Sequence, residues 1–422
     1  MSTRRTVRRL VPALGALWLL SVGAGPSAAG APAAAPAAAQ LAALPAAAIA
    51  LIVQSSGAIV YARNANAELA IASTTKLMTA YVTLQHEPLH AQLLVQPYVP
   101  GPGESLAPVP AGTRLSVPDM LRAMLLPSGN NIAYSLAIDV AGSVSSFVAM
   151  MNADAAALHM GRTHYSTPIG LDTPGDNYST ATDLAILART VMRRPLIREI
   201  VDEPSATLSD GVVVTNRNDL VGTYPWVVGV KTGNTFDAGE CLVGAARLDG
   251  VRLISVVLGA PSEAARDADT LALLRYGLSV YRSAAIAIAG RTYASVPVEG
   301  RSAPAQLVAT RTVSLIVARA VVLRASLRVP VRLVGPIAAG SVEGSIEVSE
   351  NGRAVESVPL VTAAAVPAPP PAPTGPTAHR SRRAHAPDAP TATGGLSATL
   401  PGCSLLCERG RMRSRSAQRM QR

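Results

Sequence analysis

Three short polar motifs stand out along the chain for the chemistry that their residue types could perform. They are Ser73-Thr74-Thr75-Lys76, Ser128-Gly129-Asn130 and Lys231-Thr232-Gly233. A serine and a lysine three residues apart on a helix share one face, so Lys76 is expected beside Ser73. A serine hydroxyl becomes an effective nucleophile when a neighbouring base takes its proton. The first motif therefore predicts nucleophilic catalysis, with Ser73 as the nucleophile and Lys76 as its base.

The scarcity of lysine supports this interpretation. Of 37 basic residues, only Lys76 and Lys231 are lysines, and each lies in one of the motifs. Arginine stays protonated at any ordinary pH, whereas a buried lysine can lose its proton and act as a base. A second cation nearby favours that loss. We expect Lys231 to be that second cation.

The elements predicted to carry the motifs suit the same chemistry. Ser73 is predicted to start a helix, where its own backbone N–H is free to stabilise an oxyanion. Gly233 lets a substrate backbone approach an edge strand closely. Each motif alone has a common structural explanation: a polar helix face, a capped turn or a loop. Together and in this order, they favour a catalytic site.

The periodicity of apolar residues predicts a mixed fold around these motifs. Helices are expected over residues 73–84, 117–126, 131–140, 147–159, 182–191 and 267–281. Strands are expected over residues 46–53, 58–62, 212–215, 227–232, 240–246 and 252–258. Strands from both ends of this region should form one sheet, with the helices inserted between them.

The flanking segments differ in character from this central region. Residues 1–29 resemble a secretory signal, with four arginines before an apolar stretch, and residues 30–44 form an Ala/Pro-rich spacer. Residues 45–283 are the predicted catalytic domain, and residues 290–362 a small all-β module. Residues 363–422 form a Pro-rich and Arg-rich tail that is predicted to be disordered.

Composition and charge exclude several other functions. The net charge of +10 lies in the two ends, because residues 10–377 carry about −1, which disfavours a basic nucleic-acid groove. Aromatic residues make up only 3%, too few for base-stacking platforms. The six histidines form no HExxH motif, so we expect no metal and no cofactor. Cys241 is predicted to be a buried small hydrophobe, whereas Cys403 and Cys407 could pair in an oxidising compartment.

The motifs and the sequence segments around them resemble those of a known family. The segments IASTTKLMTA, LLPSGNNIAYSLA, YSTATDLAILA and VVGVKTGNTFDAGECLVGAA are similar to the serine D-alanyl-D-alanine carboxypeptidases. These are the low-molecular-mass penicillin-binding proteins of the penicillin-recognising fold. The resemblance covers roughly residues 46–282 and extends to the β module. It implies an α+β fold: a β-lactamase/transpeptidase-like domain, with an antiparallel sheet, helices and an all-α insert, followed by the small β module and the tail.

The resemblance also implies roles for single residues. Ser73 would be acylated, Lys76 would be its general base, and Ser128 would relay a proton to the departing D-alanine amine. Asn130 would position the substrate amide, and Lys231 would orient the substrate.

The remaining implied residues lie at the other end of the substrate. Thr232 would bind the terminal carboxylate beside Gly233, and the backbone N–H of Asn234 would be the second oxyanion donor. Arg266 sits where the family often has a carboxylate-binding arginine, although a solvated helix residue is an equal alternative. An amphipathic anchor helix at the C-terminus, usual in the family, is not visible in the Arg-rich end.

The predicted function is an exported, penicillin-sensitive carboxypeptidase that removes the terminal D-alanine from peptidoglycan stem peptides. Its expected partners are those peptides and β-lactam inhibitors, with no nucleic acid. The tail is expected to be solvated, with weak contact to anionic lipid or wall polymer as the alternative. A β-lactamase and a catalytically silent wall-binding protein are the competing hypotheses. Ser-Gly-Asn in place of Ser-Asp-Asn, and the lack of an identifiable deacylating glutamate loop, speak against the first of these. Retention of both lysines speaks against the second.

Overall fold

The computed structural model describes residues 39–172 and 177–370. Its helices, in chain order, are α1 (Lys76–His86), α2 (Val117–Leu125), α3 (Asn130–Ala141), α4 (Val144–Ala157), α5 (Ala181–Val191), α6 (Pro195–Val201) and α7 (Glu263–Val280). The strands up to α7 are β1 (Ala48–Val53), β2 (Ile59–Arg63), β3 (Leu69–Ala70), β4 (Gln92–Leu94), β5 (Arg114–Ser116), β6 (Tyr178–Ser179), β7 (Ser205–Thr207), β8 (Val213–Thr215), β9 (Val227–Thr235), β10 (Gly239–Leu248) and β11 (Val251–Ala260). After α7 follow β12 (Tyr281–Ala287), β13 (Thr292–Val296), β14 (Ala305–Ala309), β15 (Val313–Ala318), β16 (Leu323–Arg328), β17 (Val342–Glu350) and β18 (Arg353–Thr362).

A five-stranded antiparallel sheet in the order β2-β1-β11-β10-β9 joins the two ends of the catalytic region. Strand β1 pairs with β11, so that Ala48 lies opposite Leu258 across more than 200 positions of sequence. The predicted hairpin of β1 and β2 is confirmed. Strand β9 carries the Lys-Thr-Gly motif and lies at one edge of the sheet, where its outer side is free to meet other groups.

Both faces of this sheet are covered, which explains the continuous apolar sequence of β1. Ala48, Ala50 and Ile52 join the core of the helices that follow β2 in sequence. The alternate residue Leu51 points the other way and lies against Gly277 of α7. Helices thus cover both faces of the sheet, as expected for an α+β fold.

Side-chain caps fix where several of these helices begin. Hydroxyl oxygens of Ser116, Ser143, Thr180 and Ser262 accept hydrogen bonds from backbone N–H groups three residues later, at the starts of α2, α4, α5 and α7. Such caps satisfy backbone donors that have no partner within the helix. Gly142, with φ of 73°, ends α3 in the left-handed conformation that favours glycine.

The residues after α7 form β structure, as predicted. Strands β13-β14-β18-β17-β16 make a second five-stranded sheet, and β12 pairs with β15. Their apolar residues build a separate core that includes Leu307, Val348, Val358 and Leu360. The predicted α+β fold class is confirmed.

Some predictions differ from the structure or lie outside it. Residues 213–215 pair with β7 in a small hairpin instead of joining the large sheet, and α6 was not predicted. Cys241 is fully buried, as expected. The signal segment 1–29, most of the spacer, and nearly all of the tail, with Cys403 and Cys407, lie outside the described residues.

Within residues 39–172 and 177–370, no single helix is long and apolar enough to cross a bilayer. Helices α3 and α4, which are bent by 87° where they meet, are long and apolar enough only when the two are taken together, and by length and composition only.

Candidate active site

Ser73 lies in a short 3-10 turn, Ala72–Thr75, that leads directly into α1. The helix predicted from residue 73 therefore begins three residues later, at Lys76. Ala72 has a φ of 46°, a left-handed conformation that is strained for alanine. Such strain at the residue before a reactive side chain is typical of functional sites.

The predicted contact between the first serine and lysine is present. Nζ of Lys76 lies 2.8 Å from Oγ of Ser73. The same nitrogen donates to Oδ1 of Asn130 at 2.7 Å and to the carbonyl oxygen of Ile169 at 2.9 Å. Both of these oxygens can only accept hydrogen bonds. They therefore take the two N–H groups of a neutral amine and leave its lone pair for the Ser73 hydroxyl.

The surroundings of Lys76 favour that neutral form. Its side chain is 0% exposed. Burial, followed by the positive charge of Lys231, lowers the pKa of Lys76 well below its ordinary value; Arg217 adds to this effect and Glu104 opposes it. Burial, together with Arg217 and Arg266, also lowers the pKa of Lys231, to about 7. The Lys76 amine can therefore be neutral well below the pH at which an ordinary lysine loses its proton.

The second motif lies in the loop between α2 and α3. Ser128 has a φ of 64°, and Asn130 is the first residue of α3. A Cβ atom at Gly129 would lie 2.6 Å from the carbonyl oxygen of Ala123. This explains why glycine occupies the middle position of Ser-Gly-Asn, since a larger residue would displace Ser128 and Asn130.

The third motif lies on the edge strand β9, next to the first. Lys231 is 2% exposed, and its Nζ donates to the carbonyl oxygen of Thr232 at 3.0 Å. A Cβ atom at Gly233 would lie 3.1 Å from the backbone nitrogen of Ser73. Glycine thus allows the strand to approach the turn that holds the serine.

All three motifs meet at one crevice of about 240 Å³. Residues from the motifs and the predicted site that line it are Ser73, Ser128, Thr232, Gly233, Asn234 and Arg266. Gly103, Ser105 and Arg217 line it as well. The crevice combines two serine hydroxyls with the cations of Arg217 and Arg266 and with the carboxylates of Glu240 and Glu263. Because the buried amine of Lys76 lies beside Ser73, the arrangement is suited to acyl transfer.

Arg266 lines the crevice but is already paired. Its side chain is only 3% exposed, so it is not a solvated helix residue. The guanidinium donates to Glu240 at 2.8 Å, and to Glu263 and Asp267 at 2.9 Å each. Arg217, by contrast, is exposed at the mouth of the crevice. The more accessible cation is therefore Arg217.

Comparison with known proteins agrees with this geometry. The family model described as D-alanyl-D-alanine carboxypeptidase, peptidase S11, matches residues 34–262. That match covers more than half of the chain. The chain belongs to this family. The S11 peptidases are serine hydrolases, so this S11 protein is an enzyme of that class.

Curated relatives cover most of the S11 chain. The D-alanyl-D-alanine carboxypeptidase DacD of Escherichia coli is 32% identical over 75% of this chain and 85% of its own. DacF of Bacillus subtilis is 27% identical over 74% of this chain and 83% of its own.

Solved structures support the same fold for the S11 chain. Penicillin-binding protein 6B of E. coli matches with a TM-score of 0.57 and 30% identity, over 76% of this chain and 96% of that one. PBP3 of Streptococcus pneumoniae matches with a TM-score of 0.61 and 26% identity, over 76% and 99%. These matches cover a larger share of the chain than the family model does.

Three parts of the S11 site were not predicted from the sequence. Ile169 supplies a carbonyl acceptor to Lys76, Arg217 lines the crevice, and Glu104 accepts a hydrogen bond from Asn130. Their local sequence carries no signal for these roles: a backbone carbonyl has no side-chain signature, and the other two are single charged residues in loops. The Lys76 amine and the Ile169 carbonyl are 93 positions apart, so only the fold brings them together.

Proposed function

We propose that this S11 protein is an exported, penicillin-sensitive serine carboxypeptidase. It removes the terminal D-alanine from peptidoglycan stem peptides through an acyl-enzyme on Ser73. One observation carries the proposal: the buried amine of Lys76 lies 2.8 Å from Oγ of Ser73, with acceptors that orient its lone pair toward that hydroxyl. Membership of the D-alanyl-D-alanine carboxypeptidase family supports the choice of substrate.

In acylation, Oγ of Ser73 attacks the carbonyl carbon of the penultimate D-alanine while neutral Lys76 takes the hydroxyl proton. The resulting oxyanion accepts hydrogen bonds from the backbone N–H groups of Ser73 and Asn234. Such preorganised donors stabilise charge that develops in the transition state. The close approach of Gly233 to the Ser73 nitrogen supports this arrangement.

Collapse of the tetrahedral intermediate breaks the C–N bond of the peptide. The departing amine needs a proton, which Ser128 relays from the Lys76 ammonium, and free D-alanine leaves. Water then attacks the ester carbonyl, Lys76 accepts a proton from that water, and the ester C–O bond breaks. Ser73 recovers its proton and the shortened peptide is released, so the cycle needs no cofactor.

Substrate binding divides between the two ends of the crevice. Asn130 positions the substrate amide. At the carboxylate end, the Thr232 hydroxyl binds the terminal carboxylate, with Lys231 orienting the substrate beneath it. Arg266 contributes to the positive field there, and the exposed Arg217 is the cation with the freest access to the carboxylate.

A β-lactamase remains the second candidate, because it would need the same nucleophile and base. Its distinguishing step is rapid hydrolysis of the penicilloyl ester. A slow release of labelled penicillin from Ser73 would support the carboxypeptidase, whereas rapid turnover would favour the β-lactamase.

The proposal includes an organisation for the whole chain. Residues 1–29 direct export, residues 45–283 form the catalytic domain, and residues 290–362 form the β module. The enzyme would then act on the outer side of the cytoplasmic membrane or in the cell wall, where stem peptides are exposed. Weak contact of the Arg-rich tail with anionic lipid or wall polymer would hold it near that substrate.

The deciding experiment is mass spectrometry of the products formed from a pentapeptide ending in D-Ala-D-Ala. The proposal predicts loss of one alanine and release of free D-alanine by the purified protein. A Ser73→Ala variant with the same melting temperature should release none. Release of D-alanine by the variant, or none by folded wild-type protein, would refute the proposal.

A further inference from the structure

Glu104 lies next to Asn130 of the second motif. It belongs to none of the three motifs and has no role in the proposed mechanism. Its Oε2 accepts a hydrogen bond from Nδ2 of Asn130 at 2.9 Å. The hydroxyl of Tyr98 donates to the same carboxylate oxygen. The other oxygen, Oε1, accepts from the backbone N–H of Gly101 at 2.9 Å. The carboxylate is therefore held firmly within the loop that lines the crevice.

This contact decides which way the Asn130 amide faces. An ionised carboxylate only accepts hydrogen bonds, so it selects the NH₂ group of Asn130. The amide oxygen must then face the opposite side, where it accepts from Nζ of Lys76 at 2.7 Å. A flipped amide would present N–H groups to Lys76 and compete for the lone pair that the Ser73 hydroxyl needs.

Glu104 also supplies the negative charge that acts on Lys76. The charges of Lys231 and Arg217 favour the neutral amine, and Glu104 opposes them. Although burial works against it, hydrogen bonds from Tyr98, Asn130 and the Gly101 N–H lower the pKa of Glu104. The carboxylate is thus ionised throughout the range in which Lys76 would act as a base.

We propose that Glu104 is a positioning residue: it fixes the Asn130 amide and so orients the amine of Lys76 toward Ser73. This inference rests on the proposed acyl-transfer function. It makes the sequence Tyr98, Glu104, Asn130, Lys76 and Ser73 a continuous hydrogen-bonded chain into the crevice. Glu104 acts through this chain and touches no reacting atom itself.

The presence of only two lysines allows a direct test. Protein labelled with ¹³C at the lysine Cε gives two NMR signals, and a Lys231→Arg variant leaves one, which assigns Lys76. Glu104→Gln keeps an acceptor for Asn130 but removes the charge. We expect the titration midpoint of Lys76 to fall by about 0.5–1 pH unit, since a nearby charge is worth about 1 kcal/mol. The matched control is Glu299→Gln, which removes a charge at an exposed position of the β module. This variant should leave the titration midpoint of Lys76 unchanged.

Glu104→Ala separates orientation from charge. Loss of the acceptor frees the Asn130 amide, and misplacement of catalytic groups typically costs one to two orders of magnitude in rate. We expect penicillin acylation at the plateau pH to fall about 10-fold or more in Glu104→Ala, but less than about 3-fold in Glu104→Gln. The acid limb of the Glu104→Gln rate profile should move to lower pH together with the NMR midpoint. Melting temperatures identify any variant that loses its fold.

The outcomes are distinguishable. Equal plateau rates in folded Glu104→Ala and wild type overturn the positioning role, and an unchanged Lys76 midpoint in Glu104→Gln overturns the action of the Glu104 charge on Lys76. A displaced midpoint in a protein that takes no penicillin and releases no D-alanine shows that the Glu104 charge acts on Lys76. That result would refute the proposed function alone.

Discussion

The backbone nitrogen of Ser73 lies close to Gly233. A Cβ atom built on this glycine would be only 3.1 Å from that nitrogen. The edge strand β9 and the turn that holds the nucleophile are therefore packed backbone against backbone. This contact places the last motif beside the first, although 160 positions separate the two residues. A side chain at residue 233 would crowd the backbone N–H of Ser73, which is the first of the two proposed oxyanion donors.

Gly233→Ala should therefore reduce catalysis, and it should also cost some stability, because its Cβ atom would lie 3.0 Å from the Cβ atom of Ala72. We expect acylation of Ser73 by penicillin to slow roughly 10- to 100-fold, as for displacement of an oxyanion-hole donor. Gly161→Ala is the control, because a Cβ atom there meets nothing within 4 Å. Stopped-flow fluorescence with a labelled penicillin measures both variants. Wild-type rates in Gly233→Ala would mean that the close approach is not required.

Replacement of Lys76 by arginine tests whether the amine must lose its proton. Arginine keeps a donor group but stays protonated, so it cannot take the Ser73 proton. We expect acylation to fall by roughly 10³-fold or more, a typical contribution of a general base. Because arginine is larger, Lys76→Met is made in parallel, and circular dichroism checks both folds. A folded Lys76→Arg variant with more than a tenth of wild-type activity would exclude Lys76 as the base.

Lys231 should lower the stability of the protein below pH 10. Its pKa is about 7 in the fold, against an ordinary value of 10.5. The unfolded chain therefore binds more protons in this window, and stability rises with pH by at most roughly 1.4 kcal/mol per unit. Below about pH 7 the full destabilisation is present.

Lys231→Met should remove the part of the slope that Lys231 contributes, while Lys76, whose pKa is also lowered, keeps its own part. We expect the variant to be more stable than wild type at pH 7 and less active, with the difference in stability shrinking toward pH 10. Urea unfolding at several pH values measures it. Arg353→Met, at an exposed position of the β module, is the control and should keep the wild-type slope. An unaltered slope in Lys231→Met would show that the pKa of the Lys231 amine is not lowered in the fold.

The two arginines at the crevice should behave differently. Arg217→Ala removes an exposed cation, so we expect KM for a D-Ala-D-Ala peptide to rise about tenfold with a smaller change in kcat. A substrate analogue with an amidated C-terminus should lose this sensitivity, because it has no carboxylate to bind. An equal effect on both substrates would contradict a role in carboxylate binding.

Arg266→Ala should instead reduce stability. The change leaves Glu240, Glu263 and Asp267 without their shared cation, and we expect a loss of roughly 1–3 kcal/mol, moderated by the exposure of Glu263. Urea unfolding measures it directly. A variant as stable as wild type but defective only in KM would show that substrate binding is the main role of Arg266.

The sequence allowed prediction of the parts of this fold and site that depend on local pattern. Apolar periodicity located β1, β2, β9–β11 and most helices, and the motif spacing predicted the contact between Ser73 and Lys76. The exact start of α1 was missed, because the strained φ of Ala72 leaves no pattern in apolar residues.

The unpredicted parts depend on contacts between distant segments. Helix α6 is only seven residues long, too short for a clear periodicity. Glu104 and Arg217 gain their roles from the residues that the fold brings beside them, Asn130 and the two lysines. The ion pair of Arg266 with Glu240 likewise joins β10 to α7, so the sequence around this arginine could not reveal it.

The dependence of Ser73 acylation on pH tests the central claim most directly. The rate constant for acylation by a labelled penicillin is measured between about pH 5 and pH 10.5, with peptide mapping to confirm the adduct on Ser73. If a neutral Lys76 takes the proton, the rate reaches its plateau well below the ordinary lysine value of 10.5. A rate that keeps rising up to that ordinary value would contradict the account.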